Sequence, residues 1–310
     1  MGILLFFNGV FMLVASLVSL VYKDGVTFEI TISSFIVLFI GALLMLFFRH
    51  YDKQIQKREG YLIVTLGWLL MAISGTIPYI FTGTIPNFTS SFFETMSGYT
   101  TTGATILDDI ESLPEGILFW RSTTHWIGGM GIIVLAIAIL PFLGIGGIQL
   151  FTAEAPGPAG DKLHPRITDT AKRLWLIYFL YTFIETFLLY FAGMTFFDAI
   201  NHAMSTLSTG GFSTKNNSIA YWNDRPIIQY IIISFMFLAG TNFVLSYFIF
   251  TKKIRKILLN KKTFFDLVLN KPILLIIFFI FFSPNSTIFC GVLASLKSFL
   301  VTAFTPLSVD

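Results

Sequence analysis

Charge is what this sequence has least of. Asp, Glu, Lys and Arg make up 12% of its 310 residues, where an ordinary soluble domain carries about 25%, so the chain cannot cover a soluble globule with polar surface. Its single cysteine, Cys290, excludes an intramolecular disulfide and a cysteine-based zinc centre and reads as a small apolar filler. The four histidines, His50, His125, His164 and His202, stand at no metal-ligand spacing. Paired intramembrane carboxylates, a histidine cluster and a nucleophile motif are all missing, which removes the chemistry that a membrane-embedded enzyme or a midplane solute carrier would need. A net charge of +3 gives no basis for nucleic-acid binding. What fills the chain instead is 55% hydrophobic residues, 36 of the total being Phe. Its solvent is lipid.

Apolar runs near the ~20 residues that cross a bilayer lie at 3 to 21, 30 to 48, 61 to 81, 118 to 142, 174 to 196 and 226 to 250, with a shorter seventh at 272 to 283 that stops before Pro284. The first run follows the initiator Met with no basic segment or small-residue cleavage motif, so it reads as a retained helix. Loops 49 to 60, 143 to 173 and 251 to 271 hold fifteen of the twenty Lys and Arg residues. Six alternating crossings put all three on one face, and short cytoplasmic loops collect basic residues, so the N-terminus is expected in the cytoplasm. The six basic residues from 252 to 262 fit an anionic lipid surface.

The opposite side has the complementary bias. Between Thr82 and Phe119 there is no Lys or Arg, while Glu94, Asp108, Asp109, Glu111 and Glu115 are present. Together with Asp198 they are candidate outer-vestibule acids that would concentrate cations at a mouth. A solvated acidic loop is the plainer reading of each carboxylate alone.

Two segments are too long for turns and too short to span: residues 90 to 99 and 196 to 207. Each reads as a half-length helix and each runs into Thr and Gly. Aligned on glycine, Thr101-Thr102-Gly103-Ala104-Thr105 and Thr209-Gly210-Gly211-Phe212-Ser213 occupy the same place in two units of roughly a hundred residues. Irregular backbone survives at membrane depth only when it is buried in protein or lines a watery cavity. A K⁺ filter uses such backbone, replacing the ion's water with carbonyl oxygens. Glycine permits the positive φ that turns successive carbonyls to one side, and Thr stiffens the strand. The half-helices would direct their negative C-terminal ends at the ion. Thr101, Thr102, Gly103, Ala104, Thr209, Gly210, Gly211 and Phe212 are therefore the candidate ion-binding residues, with K⁺ as the bound ion and no other cofactor expected.

On Glu94 to Thr105, His125-Trp126-Ile127-Gly128-Gly129-Met130-Gly131, Glu154-Ala155-Pro156-Gly157-Pro158 and Ser208 to Thr214, the sequence resembles the Trk/Ktr/HKT superfamily of potassium transporters, most closely its bacterial TrkH type. The resemblance implies an all-α polytopic membrane protein of repeated span, half-helix pore loop and span units, with two extra N-terminal helices. It implies four such units around a pseudo-fourfold axis, a homodimer, a cytoplasmic nucleotide-binding regulatory ring of the TrkA type, and residence in the bacterial inner membrane. Its filter glycines would be Gly103 and Gly211; in the plant branch Gly at the first filter goes with K⁺ and Ser tends toward Na⁺.

The expected division is residues 1–58 (two N-terminal helices), 59–145 (first pore unit), 146–173 (cytoplasmic loop), 174–262 (second pore unit) and 263–310 (an incomplete third). Residues Ser298 to Thr305 resemble a third half-helix, but Pro306-Leu307-Ser308-Val309-Asp310 follow where a Thr/Gly strand belongs, and Pro fixes φ. The expectation is thus a truncated or frameshifted product, with another cation transporter or a non-conducting fragment as alternatives. Three further readings concern residues outside the Thr/Gly segments. Arg121, His125 and Asp198 are expected to anchor outer helix ends. Gly128, Gly129 and Gly131 are expected to allow close packing beneath the filter. Glu185, a carboxylate within a span, reads equally as functional or as structurally paired, for example with Tyr181.

Overall fold

The structure is a computed structural model that describes residues 1–49, 57–131 and 167–240. The chain divides into two compact units, Met1–Ala153 with Arg166–Thr241 and Glu154–Pro165 with Asn242–Asp310; every described residue belongs to the first. Among the described residues all regular structure is helical. The expected seventh span, the third half-helix and the basic segment 252 to 262 lie outside the described residues.

The first two apolar runs form α1 (Gly2–Tyr22) and α2 (Thr27–Phe47). Their hairpin turns at Lys23, whose left-handed φ of 57° lets its N–H bond back to the Ser19 carbonyl. Small residues bring the two backbones together: a β-carbon on Gly41 would meet the Phe6 nitrogen at 2.6 Å. Ser34 donates to the Gly9 carbonyl at 2.8 Å across the same seam. The outer face of α2 shows Phe28, Phe35, Phe39 and Phe47 exposed, which is what a helix facing lipid presents.

The run at 61 to 81 is helical but interrupted at one residue. It breaks at Thr76 into α3 (Lys57–Gly75) and α4 (Ile77–Phe81), because Pro78 has no N–H to donate and its ring crowds the preceding turn. The Gly75 carbonyl at the break accepts the indole N–H of Trp120 at 3.2 Å. The two half-length segments fold as α5 (Phe88–Tyr99) and α8 (Phe196–Leu207). Between them run α6 (Glu115–Gly129) and α7 (Ile167–Phe191), and a short 3-10 helix (Ser218–Trp222) precedes α9 (Pro226–Gly240).

Three stretches, Gly2–Tyr22, Thr27–Phe47 and Leu174–Phe191, are long and apolar enough to cross a membrane, and Thr65–Phe81 and Pro226–Gly240 are shorter apolar helices. The chain is an all-α polytopic membrane protein. At its centre α6 is buried from Gly116 to Ile127 without interruption, packed against α1, α5 and α8. It is the element that both half-helices share.

Candidate ion-filter site

The two half-helices are copies in backbone detail, 108 residues apart, since 88 and 99 map onto 196 and 207. Each starts with a side-chain cap: Asn87 accepts from the Thr89 and Ser90 amides, and Thr195 accepts from that of Asp198. Each ends the same way. The N–H groups of Thr102 and Gly210 bond to the carbonyls of Ser97 and Ser205, both at 2.9 Å, and those of Thr101 and Thr209 bond to Gly98 and Thr206 at 3.0 and 2.9 Å.

Beyond the helix ends the backbone alternates. Thr101 and Thr209 have φ of 52° and 54°, Gly103 and Gly211 have 77° and 94°, and Thr102 and Gly210 between them are not in that region. A left-handed β-branched residue is held against a cost of about 1–3 kcal/mol. That both copies hold one at the same place marks the conformation as required by the unit rather than incidental. The loops touch: a β-carbon on Gly103 would lie 2.0 Å from the Gly210 carbonyl oxygen.

Behind the loops, α6 supplies their scaffold. The Arg121 Nε donates to the Glu94 carboxylate at 2.7 Å, and its Nη1 donates to the Ser213 carbonyl at 3.1 Å. Glu94, on α5, also accepts from Thr105 Oγ1 at 2.9 Å and from the Ile106 N–H at 3.1 Å. The Phe212 ring is clamped by two residues one helical turn apart, with the Arg121 guanidinium carbon 3.6 Å from its centre and the His125 ring stacked at 3.7 Å. His125 Nδ1 also meets Ser205 Oγ at 3.2 Å. In the second copy His202 stands where Glu94 stands in the first, and its Nε2 meets Ser213 Oγ at 3.0 Å.

Glycine lets α6 pass directly beneath both half-helix ends. A β-carbon on Gly128 would fall 2.1 Å from the Tyr99 carbonyl oxygen and one on Gly129 2.6 Å from the Ser208 α-carbon, whereas one on Gly131 would meet nothing within 4 Å among the described residues. Close packing therefore accounts for Gly128 and Gly129 and not for Gly131.

The expected site residues separate by role. Of the expected ion-binding residues, Gly103 of the first loop meets Gly210 and Gly211 of the second, and Thr101, Thr102 and Thr209 flank that contact along the chain. The Ala104 carbonyl accepts from Ser97 Oγ at 2.6 Å and Phe212 is clamped, so these two fasten the loops to their helices. Of the candidate vestibule acids, Asp108 and Asp109 are exposed, while Glu94 and Asp198 are buried and engaged. Asp198 accepts from Thr195 Oγ1 at 2.7 Å and from Thr214 Oγ1 at 2.5 Å. These two carboxylates brace the loops instead of facing a mouth, because the half-helices that carry them turn them inward. Arg121 and His125 likewise are not end anchors; they sit inside the most buried helix. Among the described residues neither Glu185 carboxylate oxygen has a hydrogen-bond partner, Tyr181 included.

Two contributors went unnoticed in the sequence. Asn8 on α1 donates to Ser74 Oγ at 2.8 Å and accepts from the Tyr99 hydroxyl at 2.5 Å, tying the N-terminal hairpin to the residue before the first loop. A lone Asn in an apolar run was the available signal. Asn216 joins the outer loops, accepting from the Ile110 N–H at 2.7 Å and donating to Asp109 at 2.9 Å. The Asn216 amide holds the Asp109 carboxyl below its usual range. Nothing in its local sequence separates Asn216 from Asn217.

Spanning helices combined with two half-helices, each ending in a loop with a glycine at positive φ, define a membrane protein of the pore-loop class. The profile of the TrkH family, described as a cation transport protein, matches residues 26–304, and the chain belongs to that family. It is a transport family and not one of enzymes. Over 248 residues the chain is 48% identical to the Trk system potassium uptake protein TrkH of Salmonella typhimurium and to that of Escherichia coli K12, covering 79% of this chain and 51% of each relative. The TrkG potassium uptake protein of E. coli is 39% identical over 261 residues. Among solved structures, the potassium transporter TrkH of Vibrio parahaemolyticus matches with a TM-score of 0.68 and 40% identity, over 81% of this chain and 50% of that one. The chain spans about half the length of these relatives.

Proposed function

We propose that this chain supplies two walls of a K⁺ filter in a Trk-type uptake system and passes K⁺ inward under the membrane potential. Backbone carbonyls of Thr101, Thr102 and Gly103 on one wall and of Thr209, Gly210 and Gly211 on the other act as the ion's ligands. The observation that carries this reading is the contact of the two loops at Gly103 and Gly210, each loop having the same alternation of φ after the same helix end. Such an alternation turns successive carbonyls toward one side, and the adjoining half-helix C-termini add negative potential there. The exposed Asp108 and Asp109 raise the local cation concentration.

In the same reading, residues 1–58 form an N-terminal pair of helices, 59–145 and 174–262 the two pore units joined by the loop 146–173, and 263–310 part of a third. The protein sits in the bacterial inner membrane with a cytoplasmic N-terminus, as the basic loops favour, acts as a homodimer, and meets a cytoplasmic nucleotide-binding ring of the TrkA type.

The test is a chimera. Residues 26–240 replace the matching segment of the E. coli relative in a bacterium deficient in K⁺ uptake. Growth on low K⁺ is expected, with Gly103→Ser shifting the preference toward Na⁺. A chimera that reaches the membrane without restoring growth, or a Gly103→Ser variant with unchanged K⁺/Na⁺ preference, overturns the filter reading.

A further inference from the structure

Glu185 takes no part in the scaffold just described. It lies in α7 inside the apolar stretch Leu174–Phe191, is wholly inaccessible, and offers two carboxylate oxygens without a hydrogen-bond partner. Glu94, equally buried, shows what a settled carboxylate looks like here: it has an arginine, a hydroxyl and an amide. Among the described residues, the Thr206 hydroxyl in the last turn of α8 lies beside Glu185, and neither carboxylate oxygen is in a hydrogen bond.

Among the described residues around it, the charged groups of the packed elements are committed elsewhere and the remaining titratable groups are phenols. On α8, Asp198 is bonded to Thr195 and Thr214, and His202 to Ser213 and the Asp198 carbonyl. On α6, Arg121 is bonded to Glu94 and Ser213, and His125 to Ser205. Tyr178 and Tyr181 on α7 and Tyr230 on α9 are phenols, and none bonds to Glu185.

Two physical facts bear on the state of this carboxyl. An unpaired ionised carboxylate out of water is far less favourable than the neutral acid. The last turn of a helix carries the negative end of its dipole, which disfavours an anion beside it. A third fact ties the carboxyl to the loop: the Thr206 carbonyl accepts the N–H of Thr209 at 2.9 Å, and Thr209 is the left-handed residue that opens the second loop.

We propose that Glu185 is a proton-binding site behind the second filter loop, and that its proton and a K⁺ ion in the loops oppose each other through Thr206 and Thr209. When the proton leaves to water the carboxylate adds a negative charge behind the loop and favours the cation. By reciprocity, K⁺ favours loss of the proton. The proton site stands on geometry alone; its coupling to K⁺ rests on the filter reading.

The experiment is an infrared pH titration of the full chain in lipid nanodiscs, in K⁺ and separately in a large organic cation. A protonated-carboxyl C=O band is expected at neutral pH, absent in Glu185→Gln and moved in frequency in Glu185→Asp, with its midpoint at lower pH in K⁺. Thermal protection by K⁺ is expected to weaken as pH falls in the native chain and to lose that dependence in Glu185→Gln. If no band depends on residue 185, the proton site is wrong whatever the filter does. A band whose midpoint is the same in both cations overturns the coupling, and an intact band with no K⁺ protection at any pH points instead to failure of the filter reading. Because the native chain alone gives band and midpoint, a variant that fails to fold does not remove the test.

Discussion

Gly103 lies with its α-carbon against the carbonyl oxygen of Gly210, so close that a β-carbon there would come within 2.0 Å of it. The contact joins two loops that are separated by about a hundred residues of chain and are built on the same backbone plan. It makes the two glycines unequal, because among the described residues a β-carbon on Gly211 would meet nothing within 4 Å.

The inequality predicts different outcomes for the same substitution. Gly211→Ala meets only the strain of positive φ, about 1–2 kcal/mol, and should lower thermal stability modestly while keeping K⁺ protection. Gly103→Ala has the same strain plus a backbone collision that no rotamer relieves, and should abolish K⁺ protection. Melting in K⁺ and in a large organic cation measures both. Equal loss in the two variants would mean that the loops are not in contact.

Arg121 serves both loops with one side chain, so its replacements should separate charge from shape. Lys keeps a charge near Glu94 but cannot also donate to Ser213 and stack on Phe212, because an ammonium lacks the planar fork. Arg121→Ala leaves Glu94 buried and unpaired, which costs about 3–5 kcal/mol. Adding Glu94→Gln to Arg121→Ala should recover part of that loss in thermal unfolding. A double variant no more stable than Arg121→Ala would show that the ion pair is not what the arginine supports.

The spans at 3 to 21, 30 to 48 and 174 to 196 and the two half-helices could be read from the sequence because lipid and the ~20-residue thickness of the bilayer leave few alternatives, and because two Thr/Gly segments in register outweigh either alone. The half-helix read from 196 to 207 has those bounds in the structure. What could not be read was partnership. Glu94 and Asp198 carry the same charge as Asp108 and Asp109, yet only the second pair faces out, and that depends on which way a half-helix turns its side chains. Arg121 and His125 looked like end anchors because hydropathy does not report that α6 is enclosed on all sides. The break at Thr76 was signalled by Pro78 but hidden by the apolar run around it.

Asn8 ties the N-terminal hairpin to the end of the first half-helix. Its side chain satisfies the Tyr99 hydroxyl and engages Ser74, so Asn8→Leu strands a buried phenol at a cost of about 1–3 kcal/mol. Asn8→Leu combined with Tyr99→Phe should recover most of that stability, and K⁺ protection with it. If Asn8→Leu alone leaves both unchanged, the hairpin is an accessory to the filter and not a support for it.

The outer loops give a pH dependence whose sign follows from the Asp109–Asn216 contact. Asn216 stabilises the ionised Asp109, depressing its folded-state titration below the ordinary aspartate value. The bridge is therefore at full strength above that ordinary value and is lost as pH falls through the depressed one. Asp109 is exposed, so the effect on global stability is small and the readout has to be local. A carbon-13 titration of Asp109 should show its midpoint rise in Asn216→Ala. The Ile110 amide, which donates to Asn216 at 2.7 Å, should exchange faster in that variant after correction for pH. An unmoved Asp109 midpoint would sink the bridge, whereas a moved midpoint with unchanged Ile110 exchange would leave the loops joined through Asp109 alone.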